Sequence, residues 1–295
     1  MLFSTTLPLI FVATALASPL HHHSRLYKRA CATGPDTPAE FLTYAGYSDP
    51  ALNAVTPPGY TNTFTNLQAS NNADGYGGYI TLDSYDVASC AAQCTSRTNC
   101  QAFNIYFERA PAAAPSNCTS SATIKCVFWS GAVTSSNAQN TGSTQNNFQI
   151  VIAGSNGYVA SAISPSAGYS MPVFLNSNAI QAPLDCNGND TYLGFQTFNS
   201  SFDASRCAAA CSAQAAYALA HPPSDGSEPK TCQFFNTYLE SKNGVAQDQK
   251  CVLYSQTWGK SVATNAGYAY GEDVYSIGLS YAYSNATDAG VCVKA

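Results

Sequence analysis

Between residues 78 and 158 the spacing of apolar and polar positions changes period several times. GYITLDSY (78–85) alternates and then loses its alternation. It reads as a strand entering a helix, with Asp86 or Ser84 as the N-cap and the helix running through Cys94. CQAFNIYFE (100–108) alternates and is rich in aromatic residues, which predicts a strand. KCVFWS (125–130) predicts a second strand. FQIVIAG (148–154) predicts a third, after the polar loop TSSNAQNTGSTQNN (134–147). The same succession returns further on. A helical stretch from Asp203 towards Leu219 is stopped by His221-Pro222-Pro223, and strands are predicted at 232–240, 250–255 and 273–283. Residues 30–77, with Pro57-Pro58-Gly59 and Asn71-Asn72 as turn signals, read as irregular. Residues 159–184, holding Pro165, Pro172 and Pro183, read as a linker.

The two successions share more than period. CQAFNIYFE returns as CQFFNTYLE (232–240), and KCVFWS returns as KCVLYS (250–255). Ahead of each lies a Cys-x3-Cys: Cys90 and Cys94, then Cys207 and Cys211. Four residues apart on a helix, both sulfurs of a pair share one face and can reach a neighbouring sheet. The ordered set, met twice, marks an internal duplication of a small cysteine-framed unit. The expected fold class is α+β, with each unit one helix stapled across a small, mostly antiparallel sheet. The expected organisation is a first unit within 30–158, behind an N-terminal extension, and a second within 185–295.

The beginning of the chain reads as a leader. Leu7 to Ala17 form a short apolar run ending in Ala15-Leu-Ala17, a signal-peptidase pattern, so residues 1–17 are expected to be a signal peptide. Residues 18–29 end in Lys28-Arg29 and are expected to be a propeptide, leaving Ala30 as the mature N-terminus. His21 to His23 would leave with it. The apolar run is too short to span a bilayer, and GVCVKA at the end is no lipid-anchor signal. The 12 cysteines, an even number, fit an oxidised, extracellular framework. Asn117, Asn189, Asn199 and Asn285 each begin a glycosylation sequon.

Charge narrows the choice of partner. The net charge of −5 becomes more negative once Arg25, Lys28 and Arg29 are removed. Nucleic acids and anionic membranes, which require a basic face, are therefore excluded as expected partners. Charged residues make up 10% of the chain, against about 25% in an ordinary domain. A surface carried by Ser, Thr, Asn, Gln and Tyr suits an uncharged polar partner, a glycan or an extracellular protein.

Signals for chemistry are sparse. A hydrolytic triad needs a base that titrates near neutrality, and His221 is the single histidine of the expected mature chain. It precedes two prolines in an insertion, where a loop role is the simpler reading. One histidine and paired cysteines do not make a zinc set, and no cofactor is expected. DCNGNDT (185–191) alternates Asp185, Asn187 and Asn189 like a calcium loop. Its glycine is misplaced, however, and Gln196 stands where a bidentate Glu is needed. Glu108 and Glu240 could serve as the carboxylate pair of a glycosidase, but they are equivalent residues of two separate units.

The repeated row Asn104, Tyr106 and Glu108, returning as Asn236, Tyr238 and Glu240, is the candidate ligand-binding set. On a strand these three side chains share one face. On an open face they could stack on and hydrogen-bond a sugar or peptide. If Cys100 keeps strand register and faces the helix, the row instead lies beneath the helix as a buried network.

A helical Cys-x3-Cys, a strand Cys with a nearby Phe and a later strand Cys resemble the framework of PAN/apple modules. FNIYFER (103–109) ahead of IKCVFW (124–129) is similar in particular to fungal secreted proteins with paired apple-like modules, a group of no established activity. The resemblance covers about residues 60–285. It implies that the first helical cysteine bonds the later strand and the second the nearer one. That gives Cys90–Cys126, Cys94–Cys100, Cys207–Cys251 and Cys211–Cys232. It also implies a terminal bridge, Cys186–Cys292, leaving Cys31 and Cys118 to each other. The expected function is recognition of carbohydrate or protein at a cell wall or host surface, without catalysis. The alternatives are a secreted hydrolase with a carboxylate pair and a structural wall protein. The oligomeric state is left open.

Overall fold

The structure is a computed structural model describing residues 35–112, 119–199 and 201–292. Residues Ala17, Lys28, Arg29, Cys31, Asn117 and Cys118 lie outside the described residues, and with them the expected processing sites and the Cys31–Cys118 bridge. The described chain is a mixture of helix and antiparallel sheet, with two six-stranded sheets.

The first sheet is built from β1 (Tyr60–Leu67), β2 (Tyr76–Leu82), β3 (Ala102–Pro111), β4 (Ser120–Trp129), β5 (Gly142–Gln145) and β6 (Phe148–Ala160). Their order is β1-β6-β3-β4-β2, and β5 pairs with β6 alone. The second is built from β7 (Val173–Phe174), β8 (Tyr192–Phe198), β9 (Phe234–Lys242), β10 (Val245–Tyr254), β11 (Gly267–Tyr270) and β12 (Asp273–Ser284). Starting from β7, it runs β7-β12-β9-β10-β8, with β11 also on β12. The two orders are the same order, strand for strand. The sequence duplication is therefore a duplication of topology.

Each unit carries one helix over its sheet, at the place where the cysteine pair falls. Between β2 and β3 lies α3 (Val87–Thr95), entered at Asp86, whose carboxylate accepts the Ser89 N–H. Between β8 and β9 lies α4 (Ala204–Ala220), entered at Asp203, whose carboxylate accepts the Ser205 N–H. Disulfides Cys90–Cys126 and Cys207–Cys251 tie the helix to β4 or β10. Cys94–Cys100 and Cys211–Cys232 tie its next turn to the segment entering β3 or β9. Cys186–Cys292 brackets the second unit. Beneath α3 lie Phe103, Ile105, Phe128 and Tyr158. Beneath α4 lie Phe235, Leu253, Tyr281 and Tyr283.

Three stretches differ from expectation. Residues 35–77 are not irregular: they form α1 (Pro38–Thr43), α2 (Ala45–Leu52) and β1. A capping box between Thr37 and Glu40 starts α1. Phe41 and Tyr47 then pack with Phe107 and Val151. Local turn signals concealed these elements because their apolar residues are few and serve a neighbouring sheet. Residues 159–184 do more than link. Val173 and Phe174 pair with β12, while Leu175 and Ile180 enter the second core. Finally, β5 lies inside the polar loop 134–147, and β6 runs six residues beyond 154.

The two units touch directly. Tyr281 donates its hydroxyl to the Ser130 carbonyl (2.8 Å), and Tyr283 to the Ile163 carbonyl (2.8 Å). Lys260 pairs with Asp74 at 3.0 Å.

Candidate functional site

The repeated row lies on the sheet face opposite the helix. Phe103, Ile105 and Phe107 take the α3 side, so Asn104, Tyr106 and Glu108 point away from it. Cys100 precedes the strand and does not set its register. The row is therefore not a network beneath the helix. What lies over it is a returning segment of the chain.

Asn104 is fully buried. Its Nδ2 donates to Ser155 Oγ (2.9 Å) and the Asn156 carbonyl (2.8 Å), and its Oδ1 accepts the Asn71 N–H (3.1 Å). Asn236 repeats this arrangement. It donates to Ser280 Oγ (3.1 Å) and the Tyr281 carbonyl (3.0 Å), and accepts the Ile180 N–H (2.9 Å). Both asparagines face a break in register. The β3–β6 pairing jumps between Ile105 and Phe107, and the β9–β12 pairing between Gly278 and Tyr281. A bulge leaves backbone groups without ladder partners. An amide, with a donor and an acceptor side, satisfies them and pins a distant loop at the same time. The asparagine side chains are thereby occupied.

The two glutamates are occupied as well. Glu108 pairs with Lys125 on β4 at 2.6 Å, and Glu240 with Lys250 on β10 at 3.2 Å. Lys250 also lies 3.7 Å from Asp248.

The tyrosines differ. Tyr106 is buried, with Ser70 beside it. Tyr238 is half-buried and lines an open cleft of about 340 Å³. Around it stand Glu240, Lys250, Val252, Ala179, Ile180 and Asn265, with Tyr192, Phe195 and Tyr268. These last three aromatics are 46%, 62% and 54% exposed. Tyr268 is held flat by stacking on Tyr275, 4.6 Å between centroids. Burial, then the nearby Glu240 carboxylate, push the Tyr238 phenol up to about 12, so it stays protonated and able to donate.

None of Tyr192, Phe195, Tyr268 and Asn265 was singled out from the sequence. The duplication carried a signal for them. YGGYITL (76–82) aligns with YLGFQTF (192–198), with Gly78 and Gly194 both at positive φ. Asn140-Thr-Gly142 aligns with Asn265-Ala-Gly267. At Gly142 a Cβ would collide with the Ile150 carbonyl, and at Gly267 with the Tyr275 carbonyl, so both turns need glycine.

The remaining candidates hold local structure. His221 ends α4, stacks on Tyr217 at 4.2 Å and shares Nδ1 with the Tyr217 carbonyl. Asp185 accepts the N–H groups of Asn189 and Asn187, which close its turn and lower its carboxyl. Asn189 and Asn199 are exposed. Asn285 is half-buried and donates its amide to Gln233 at 2.7 Å. No helix among the described residues is long and apolar enough to cross a membrane.

In the comparisons with known proteins, no family model, no curated protein and no solved structure matches this chain.

Proposed function

We propose that this chain is a secreted, glycosylated, non-catalytic recognition protein of two apple-like modules, and that it binds carbohydrate at a cell wall or host surface. Five disulfides within the described residues suit an oxidising compartment.

The observation that carries the reading is the cleft on the second sheet. A pyranose has an apolar C–H face and a rim of hydroxyls. Exposed Tyr192, Phe195 and Tyr268 offer rings for the face. Tyr238 and Asn265 offer neutral hydrogen-bonding groups for the rim. The two charges in the lining, Glu240 and Lys250, neutralise each other. The hydrolase alternative draws less support. Glu240 is the one carboxylate among the lining residues, and a glycosidase needs two flanking one bond.

The test is a binding and turnover screen of the mature protein against insoluble wall polymers, soluble oligosaccharides and surface proteins. Saturable carbohydrate binding, lost in the Phe195→Ala/Tyr268→Ala double variant, supports the proposal. Turnover without product inhibition supports a hydrolase. Binding to proteins alone, or to nothing, overturns the carbohydrate reading.

A further inference from the structure

The residue that opens the cleft can be found by laying one unit over the other. Ser70 makes an isolated bridge with Asn140, and Ala179 makes the equivalent bridge with Asn265. The following residues, Asn71 and Ile180, give their N–H to the equivalent asparagines. Ser70 and Ala179 therefore occupy one place in the fold, and both are buried. In the first unit the Ser70 hydroxyl accepts from Asn140 Nδ2 at 2.9 Å and lies beside the buried Tyr106.

In the second unit Ala179 keeps the β-carbon and lacks the hydroxyl. Asn265 Oδ1 still accepts the Gly267 N–H (3.0 Å), as Asn140 Oδ1 accepts that of Gly142 (3.1 Å). Its Nδ2 has no partner among the described residues, and neither has the Tyr238 hydroxyl. Neither atom is sealed from solvent. Both belong to residues that line the cleft. The wall differs in the same sense: Ser143 pairs with Ile150 where Tyr268 pairs with Tyr275.

Resting on the carbohydrate reading above, we propose that Tyr238 Oη and Asn265 Nδ2 are the ligand's hydrogen-bonding partners. The amide is released by Ala179 and the phenol is half-buried where Tyr106 is buried, so the chain has one site for a neutral oligosaccharide rather than two. The phenol can donate or accept and the amide donates, a pair that suits two neighbouring hydroxyls of a sugar ring. In the first unit the equivalent amide is already bonded to Ser70 and the equivalent phenol, Tyr106, is buried.

The test is isothermal titration of the secreted full-length protein with cellohexaose, laminarihexaose, chitohexaose and mannohexaose. The expected result is one bound oligosaccharide per chain for at least one probe. Ala179→Ser restores the hydroxyl of the first unit and should weaken binding about tenfold with an undiminished Tm. Tyr238→Phe should weaken it about fivefold. Two equivalents per chain overturn the single-site assignment. Unchanged affinity in both variants, with binding still lost in Phe195→Ala/Tyr268→Ala, overturns the hydrogen-bond assignment and leaves the cleft standing. No binding by any probe, or binding untouched by every variant, overturns both.

Discussion

The two units share strand order, helix position, bulge and cysteine pairs, and they differ in how each covers the sheet face opposite its helix. In the first, Ser70 accepts from the Asn140 amide and Tyr106 beside it is buried. In the second, Ala179 leaves the equivalent phenol and amide facing a cleft edged by aromatics. The helix sides were kept alike by the disulfides and the buried aromatic residues. The opposite faces diverged at a few side chains that no disulfide constrains. A duplicated fold can in this way occupy a polar group in one copy and leave it free in the other, with little change to the framework.

The strongest way to break the comparison is to remove the shared framework. Cys90–Cys126 and Cys207–Cys251 close loops of 36 and 44 residues, worth roughly 4 kcal/mol each in the chain-entropy account. Cys→Ala pairs at the two places should lower stability nearly equally by denaturant titration. A loss in one unit several times that in the other would show that the frameworks are not equivalent. The inner bridges should differ. Cys94–Cys100 closes 6 residues and Cys211–Cys232 closes 21, so the second should stabilise by about 1 kcal/mol more.

The bulge clamps come next. Asn104→Ala and Asn236→Ala each leave a buried backbone N–H and neighbouring bulge groups unpaired, at a cost of about 3 kcal/mol. Equal losses by thermal or denaturant unfolding are expected. A negligible loss at Asn236 alone would mean that the second unit's bulge is held by other contacts.

Ser70 and Ala179 should respond to exchange with opposite signs. Ser70→Ala removes the partner of the Asn140 amide and the hydroxyl beside buried Tyr106, and should cost roughly 1 kcal/mol. Ala179→Ser supplies a partner to two unpaired groups and should leave Tm unchanged or raised. Calorimetry on the two single variants decides this, and destabilisation of both would show that position 179 is too tight for a hydroxyl.

What could be read from the chain follows the same division. The helices, the principal strands and the duplicated cysteine spacing rest on local period and repeated motifs, which sequence displays directly. The role of Asn104 and Asn236 was hidden because their partners, Asn71 and Ile180, lie 33 and 56 residues away. Strand alternation reports which face a residue takes, not what returns to cover that face. The cleft was hidden for another reason. β8 carries Gly194 at positive φ, which breaks its alternation, and β11 is four residues in a polar stretch. Aligning the halves beyond their cysteines would have brought out Tyr192, Phe195 and Asn265 as counterparts of Tyr76, Tyr79 and Asn140.

The smallest effect concerns a part of the first unit with no counterpart in the second. α1 and α2 are tethered by Asp36. Its carboxylate accepts from the Thr119 hydroxyl (2.8 Å) and N–H (3.0 Å), and from the Ser120 hydroxyl (2.9 Å) and N–H (2.7 Å). Thr119's hydroxyl, then its N–H, do most to lower the Asp36 carboxyl from 3.8 to about 2. A pKa lower when folded means that the ionised form is the one the fold favours. The contribution is complete above pH 3.8 and fades as pH falls through about 2. Asp185, Asp225 and Asp273 in the second unit are also lowered, but Asp185 and Asp225 bond residues within four positions, and Asp273 bonds Lys242 and Asn243 at the β9–β10 turn, 31 and 30 residues away. Asp36 alone among these four joins segments 83 and 84 residues apart. Acidification through that window should therefore raise hydrogen exchange in residues 37–52 before the cores open, and Asp36→Asn should remove the pH dependence. Exchange in 37–52 that rises only together with the second unit's core amides would show that the extension is held by Phe41 and Tyr47 rather than by the carboxylate.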